Sequence, residues 1–471
     1  MRLLLVFAFL TVSLLAGCAR PPASPTLPPR VTGQQAYTPP FSSPENQSRT
    51  STEQQHTVLT LQQCIAIGIK NNPELRAVES DVAAAEAKLS GSTAAMFPKV
   101  SAVGGYTYYK EDVRLLQGTY NGEPALYTDQ VASGDLVLSM PLFAGGKLYN
   151  QMLASELLQF SAKNKQTFSQ EELEFNITSL YLNIIAQKRV IESLDRSHAS
   201  LTEQTKQIQA KIDVQKAAKV ELLRAEVRLA DVQQRRIAEN NAYVTARLTL
   251  INLMGVTIPE EMLVLAEKLQ APEKVADIKI PSITEVLLKR QDYQAAMKAL
   301  EAQGKMVSSA QGAHWPQVSL KGSYSHKRAV GSYEATKAPS EGEIGNIGVM
   351  VEIPLFDGGA ISARVREEKA KQSAAQQRLI KLEKQIGLEV QSAVLSIQSS
   401  LSRIEAARTG QEQAAESYRI ESMKYELGKG TILDTLDAES SLLQADVTYY
   451  RALADYYTAK AKFRLATGEK L

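Results

Sequence analysis

Cysteine is almost absent from this chain of 471 residues, which contains two, Cys18 and Cys64. If Cys18 is acylated, as argued below, no intrachain disulfide can form, and Cys64 in its apolar run is expected to be a buried structural thiol. Histidine is also scarce, and none of the four His pairs with Cys or carboxylates at metal-ligand spacing. The sequence therefore predicts no metal site and no cofactor.

An excess of one charge is lacking too, because 53 Lys and Arg nearly balance 51 Asp and Glu and leave a formal net charge of +2. Such a balance gives no general affinity for nucleic acid, so no nucleic-acid partner is predicted. The Gly pairs at 145–146 and 358–359 precede helical segments but lack the Lys-Ser/Thr of a phosphate-binding loop. We predict that the protein is not an enzyme.

Residues 1–17 are typical of an export signal peptide, with Arg2 ahead of an apolar core that is too short for a permanent membrane helix. Small residues before Cys18 resemble the bacterial lipoprotein box, in which the cysteine is lipid-modified and becomes the mature N-terminus. The alternative is an ordinary signal peptide with an incidental cysteine. Ala19 replaces the Asp that would suggest inner-membrane retention, which favours the outer membrane.

Residues 18–56 are rich in Pro, Ser, Thr and Gln and nearly empty of aliphatic side chains. Such a segment cannot bury enough apolar surface to offset the entropy lost on ordering. We predict an extended lipid-anchored tether, which could still lie along the folded surface.

Between Gly146 and Gly255 the chain contains neither Gly nor Pro, so nothing there interrupts a helix. One straight helix would be roughly 160 Å long at about 1.5 Å per residue, so we expect long helices folded back on one another. Apolar residues repeat every 3.5 positions, which predicts coiled-coil packing. The two heptad positions hold Ile177, Ile184, Ile191 and Ile212, and Leu180, Leu194, Leu201 and Ile208.

The body of the chain is a tandem duplication, because Pro-Leu-Phe-x-Gly-Gly occurs at 141–146 and again at 354–359. We predict repeats over 57–270 and 271–471, each with a helix, a β-hairpin and a helical hairpin in that order. The predicted β-hairpins are 99–141 and 317–354, and the predicted helical hairpins are 147–254 and 360–467.

Alternating apolar residues in the β-hairpins predict strands with two unlike faces. The apolar face could pack on the helices of a soluble protein or face lipid in a barrel. Four aromatic residues beside the strand ends, together with the outer-membrane address, favour the barrel; they are Phe97, Phe143, Trp315 and Phe356. One chain supplies only four strands and a barrel needs about eight or more, so two or three chains would have to combine.

The body from about Leu59 to Leu471 resembles the TolC-like outer membrane efflux protein family. The resemblance rests on the duplication, on Asn72-Pro73-Glu74-Leu75, on the two Pro-Leu-Phe-x-Gly-Gly steps and on residues 425–438. It implies a mainly α fold with a transmembrane β-barrel portion. Three chains would form one twelve-stranded barrel, continued by a hollow barrel of long helices.

The resemblance also implies a gate where the helical hairpins turn, near 213–221 and 426–434. Asp434 and Asp437 match inward-facing acidic rings at the periplasmic constriction of the family, and Tyr425 matches a tyrosine that helps to hold the tip shut. From the residues alone, capping of the helix N-terminus is the stronger interpretation of the two aspartates, and the two roles are compatible.

Gly430 stands where the family has a basic residue, so the latch between the hairpins that this residue would make is in doubt. Lys429 or Lys219 could substitute for it. The tip residues Lys216, Lys219, Gly428, Lys429 and Gly430 lie where a periplasmic adaptor would dock.

These features predict a passive outer-membrane exit duct for efflux or type I secretion. The implied partners are two further copies of the chain, outer-membrane lipid, a periplasmic adaptor (membrane fusion protein), and an inner-membrane pump or ABC exporter. The alternatives are a lipid-anchored periplasmic coiled-coil scaffold without a pore and an enzyme on a helical frame.

Overall fold

The computed structural model describes residues 57–116, 123–260, 263–266, 269–270, 281–330 and 339–469. The predicted signal peptide, Cys18 and the tether lie outside these residues. The elements of the first half are β1 (Thr57–Leu59), α1 (Leu61–Asn71), α2 (Pro73–Ala94), β2 (Lys99–Arg114), β3 (Tyr127–Ala144), α3 (Lys147–Asp213), α4 (Lys219–Leu253) and β4 (Leu263–Leu265). Those of the second half are α5 (Ile283–Lys289), α6 (Gln291–Gly312), β5 (Gln317–Ala329), β6 (Glu341–Glu352), α7 (Ala360–Glu426) and α8 (Ile432–Thr467). No helix in the described ranges is long and apolar enough to cross a membrane.

The two longest helices, α3 and α7, have 67 residues each and begin directly after a Gly pair. Gly145 and Gly146 have φ angles of 60° and 78°, a left-handed conformation that L side chains disfavour. A Cβ on Gly145 would also collide with the carbonyl of Gly312. These glycines let the chain turn sharply from strand β3 into helix α3.

Each long helix turns back on itself through a short connection, so that α3 packs against α4 and α7 against α8. The first connection covers residues 214–218, where Gln215 has a φ of 59°. The second covers 427–431 and contains Gly428, with a φ of 69°. The heptad repeat therefore belongs to antiparallel helices, as the sequence predicted.

The heptad residues of α3 form the core along its length, but not uniformly. Ile177 and Ile184 pack near the middle of α3 against α1 and α4, whereas Leu194, Leu201 and Ile208 pack further along against α4 and α8. Each such side chain stabilises the fold by about 1.5–3 kcal/mol when fully buried. Three predicted heptad residues are only partly buried, because the apolar stripe faces different partners along the helix; they are Leu180, Ile191 and Ile212.

The strands form one antiparallel sheet in the order β2-β3-β5-β6, so β3 and β5 join the hairpins of the two repeats. Its register separates two faces. One face is apolar and carries Val100, Ala102, Leu136, Leu138, Met140, Val318, Leu320, Tyr324, Ile347, Val349 and Val351. The other is mostly polar and carries Lys99, Ser101, Asp135, Ser139, Ser319, Lys321, Ser323, Asn346 and Glu352.

The apolar face is not covered by the helices. Val100, Ile347 and Val349 are 70%, 73% and 62% exposed. Within the described residues the edge strands β2 and β6 each pair on one side only, so the sheet of a single chain is open. The soluble-sheet interpretation, in which this face packs on the helices, is therefore wrong.

The duplication is also visible where the shorter helices break. Asn72, between α1 and α2, donates from Nδ2 to the carbonyl of Leu253 at the end of α4 (2.8 Å). Arg290 takes the corresponding place between α5 and α6, and its Nη1 donates to the carbonyls of Leu465 and Ala466 at the end of α8 (3.4 and 3.3 Å). In both repeats, the residue between the two short helices donates a hydrogen bond to the last turn of the second helix of the long hairpin.

Arg290 is buried and forms ion pairs with Asp292 (2.7 Å) and Glu389 (3.0 Å). Replacing Arg290 by Met would leave these carboxylates and the helix end without their donor. We expect the free energy of unfolding to fall by about 3–5 kcal/mol, measured as a lower denaturation midpoint. Arg408→Met, which removes an exposed pair with Glu412, is the control; equal losses in both variants would contradict the prediction.

Candidate functional site at the hairpin tips

The turns of the two helical hairpins lie against each other and share one apolar cluster. Ile208 of α3 and Ile432 and Leu436 of α8 are buried in it. Ala217 and Tyr425, from the two turn regions, pack on its edge. The tip predicted from the sequence is thus a place where both hairpins meet.

Tyr425, in the last turn of α7, is held between the two hairpins. The ammonium of Lys211 lies over its ring, 4.0 Å from the centroid, a cation–π contact. Its hydroxyl is buried and lies near the carboxylate of Glu221. Burial, and then the negative charge of Glu221 at the start of α4, raise the pKa of Tyr425. The phenol therefore stays neutral and faces a carboxylate of the opposite hairpin.

Asp434 caps the helix that follows the second turn. Its carboxylate accepts hydrogen bonds from the amide (3.3 Å) and hydroxyl (2.6 Å) of Thr431, and its own amide donates to that hydroxyl (3.3 Å). These bonds lower the pKa of Asp434. The capping interpretation of the sequence thus describes Asp434, and its exposed carboxylate stays ionised.

Asp437 lies one turn further along α8 and is exposed, but its charge has a partner. Its Oδ1 is 3.3 Å from Nη2 of Arg228, which belongs to α4 of the other hairpin. Sequence reasoning missed Arg228. Arg224 and Arg228 are four residues apart on α4 and so project from one face, but nothing in the sequence shows which helix that face meets.

Gly430 has a steric reason to lack a side chain. A Cβ there would lie 3.0 Å from Cβ of Lys424 and 3.2 Å from the amide of Tyr425, so the turn packs tightly on the end of α7. The amides of Lys429 and Gly430 both donate to the carbonyl of Lys424 (2.8 and 3.1 Å), which ends the helix. A side chain at position 430 would fit this turn only if the end of α7 moved by a few tenths of an ångström.

The suggested substitutes for that basic residue make no ion pair in the part of the chain that the structure describes, so their role stays a prediction. The side chains of Lys216, Lys219 and Lys429 are exposed and form no ion pair within the described residues. Near the turns, two cations that reach the opposite hairpin are Lys211, on Tyr425, and Arg228, on Asp437. Within the same residues, no three His, Cys, Asp or Glu are grouped in a way that could hold a metal.

The class of protein is defined first by the fold, an open four-stranded sheet joined to two long helical hairpins. Solved structures share it: the outer-membrane channel OprN superposes with a TM-score of 0.74 at 20% identity, covering 87% of this chain and 89% of that one. The Campylobacter jejuni CmeC outer membrane channel superposes with a TM-score of 0.77 at 18% identity, covering 92% and 90%. The TolC-like fold predicted from the sequence is confirmed.

Sequence comparison then identifies the family. A family model described as outer membrane efflux protein matches residues 67–256 and 282–469. Outer membrane efflux protein BepC of Brucella suis is 22% identical over 359 residues, 75% of this chain and 76% of that protein. TolC of Escherichia coli is 21% identical over 410 residues, 84% and 80% of the two chains.

The chain therefore belongs to the outer membrane efflux protein family. Membership confirms the predicted bacterial outer-membrane location and the predicted efflux-channel function, and the scaffold without a pore is not favoured.

Proposed function

We propose that three copies of this chain form a passive duct across the outer membrane, closed at its periplasmic end by the hairpin tips. The exposed apolar face of the four-stranded sheet carries the proposal. Open sheet edges are not tolerated in hydrocarbon, so β2 of one chain must pair with β6 of the next until the sheet closes. Three chains give twelve strands, with the apolar face on lipid and the polar face lining the duct.

Neighbouring residues of β6 test which face meets lipid. Val349→Arg places a charge on the apolar face, at a cost of about 2–4 kcal/mol per chain near the bilayer midplane. Met350→Arg places the same charge on the polar face. We expect Val349→Arg to abolish the heat-modifiable oligomer on gels and Met350→Arg to preserve it. Equal tolerance of both would contradict a lipid-facing sheet.

The tip is proposed to act as a cation-selective constriction. Asp434 and Asp437 contribute two carboxylates per chain, and Arg228 offsets the charge of Asp437. Repeated around a threefold axis, exposed carboxylates in a narrow pore set a negative potential that favours cations. Tyr425, wedged between the turns, is proposed to help hold the tip shut.

Charge-removing substitutions on the two sides of one ion pair should move selectivity in opposite directions. In planar bilayers, Asp437→Asn should lower the potassium-to-chloride permeability ratio several-fold. Arg228→Gln should raise it, because Asp437 then keeps its full charge. The control is Asp195→Asn, which removes a charge from the exposed pair of Asp195 with Arg236 on the α3–α4 hairpin. It should leave the permeability ratio unchanged. Unchanged selectivity in both test variants would exclude Asp437 from the pore lining, and a lack of conductance in the wild type would contradict the duct itself.

The tip is also proposed to bind a periplasmic adaptor that links the duct to an inner-membrane pump or ABC exporter. Lys216, Lys219 and Lys429 are exposed beside Gly428 and Gly430. With their charges uncommitted to ion pairs within the described residues, these lysines are available to an acidic or polar partner surface. Curated relatives include the toluene efflux pump protein TtgC and the antibiotic efflux pump protein ArpC of Pseudomonas putida.

A lipid anchor at Cys18 is proposed from the sequence motif. We expect metabolically supplied labelled palmitate to be incorporated into the wild type and lost in Cys18→Ser. Cys64→Ser is the matched control, because Cys64 is fully buried in the folded body and cannot be the acceptor. Retention of the label in Cys18→Ser would refute the anchor.

A further inference from the structure

A polar layer interrupts the apolar seam between the two helical hairpins, above the tip. Glu439 of α8 lies in this seam between Leu436 and Leu443 and is only 5% exposed. Facing it are Ser197, Ser200 and Gln204 of α3 and Tyr418 of α7. A carboxylate here is largely shielded from bulk water while the hairpins stay packed.

The donors that hold this carboxylate are neutral. Oε1 of Glu439 accepts from the hydroxyl of Ser197 (3.2 Å), and Oε2 accepts from Nε2 of Gln204 (3.2 Å). Gln204 also contacts the hydroxyl of Tyr418 (3.2 Å), which is 2.9 Å from that of Ser200. These groups come from three helices, so the cluster exists only while both hairpins are in place.

Glu439 differs from the other carboxylates near it in lacking a cation. Asp446, further along α8, is paired with Arg196 of α3 (3.1 Å) and accepts from Gln411 of α7 (2.7 Å). Arg228 of α4 is paired with Asp437 and acts on Glu439 only through space. Within the described residues, no basic side chain comes within 4.0 Å of the Glu439 carboxylate.

We propose that Glu439 is a proton-binding site that links the packing of the two hairpins to pH. With a proton, the side chain is neutral and the seam closes around it. Without the proton, a buried carboxylate held by neutral donors is stabilised when the hairpins separate and water enters the seam. The proposal concerns the seam itself and rests on the proposed duct only for its consequence, a tip that closes more firmly in acid.

The environment of Glu439 determines whether acid strengthens or weakens the packing of the two hairpins. Burial raises the pKa of Glu439, and the hydrogen bonds from Ser197 and Gln204 and the charge of Arg228 only partly oppose this. A group whose pKa is raised by packing stabilises the packed state at low pH, and that contribution is lost as pH rises through the raised value. Closure of the seam should therefore weaken with increasing pH.

The duplication supplies a matched control. The second repeat follows the first by 213 residues at the hairpin tips, so the counterpart of Glu439 is Glu226 on α4, which is exposed. Glu226→Gln removes the same charge from the corresponding helix position without touching the seam.

Hydrogen exchange of the detergent-solubilised oligomer tests the proposal without any transport measurement. Amide exchange in 194–204 and 436–443 is compared between wild type, Glu439→Gln and Glu226→Gln at about pH 4, below the ordinary pKa of Glu, and at about pH 8. Comparing variants at one pH cancels the intrinsic pH dependence of exchange. At the higher pH, Glu439→Gln should exchange several-fold more slowly than wild type; at the lower pH the two should agree, and Glu226→Gln should match wild type throughout.

Other outcomes overturn the proposal. They are equal exchange of wild type and Glu439→Gln at both pH values, or an effect of Glu226→Gln equal to that of Glu439→Gln. If Glu439→Gln is poorly protected even in acid, Ser197→Ala serves instead. It removes a donor to the ionised form and should speed exchange several-fold only at the higher pH; an equal change at both would contradict the proposal. If the exchange results are as expected but the protein conducts no ions, the proton site is supported and the proposed duct is contradicted.

Discussion

The contact between α3 and α8 is the constraint on which the rest of this structure depends. Helices of 67 residues gain little from backbone propensity alone and need lateral packing to persist. Here α3 packs along its length on α6 of the other repeat, on α1, α2 and α4 of its own repeat, and then on α8 of the other. The breaks at Asn72 and Arg290 hold the far ends of α4 and α8 in place. The hairpins are thereby tied at their bases and joined at their tips.

The sheet, unlike the helical hairpins, is incomplete in a single chain. Its apolar face is exposed and its two edge strands have unpaired sides within the described residues. Both deficits are removed by the same event, closure of strands from several chains within lipid. The oligomer is therefore a requirement of the sheet, whereas the helical body of one chain already has an apolar core of its own.

The sequence predicted the fold well because its signals are local and repeated. Gly pairs, a Gly-free run and the duplicated Pro-Leu-Phe step determine where strands end and helices begin, whatever the tertiary context. The pairing of Arg228 with Asp437 and the burial of Glu439 were missed for a different reason. Both depend on which helices are neighbours near the tip, and Glu226 and Glu439 show that one residue type at equivalent positions can be exposed in one repeat and buried in the other.

Asp434 and Asp437 are alike in sequence but are coupled differently to movement of the hairpins. The bonds of Asp434 go to Thr431 on the same helix, so they survive when the hairpins separate. The ion pair of Asp437 crosses to α4 and must break in the same movement. In the proposed duct, separation would part Asp437 from Arg228, whereas Asp434 would keep its bonds to Thr431. The potential close to Asp437 would therefore become more negative as the hairpins part, although the net charge of the tip is unchanged, and this local change opposes the loss of cation selectivity that widening alone would bring.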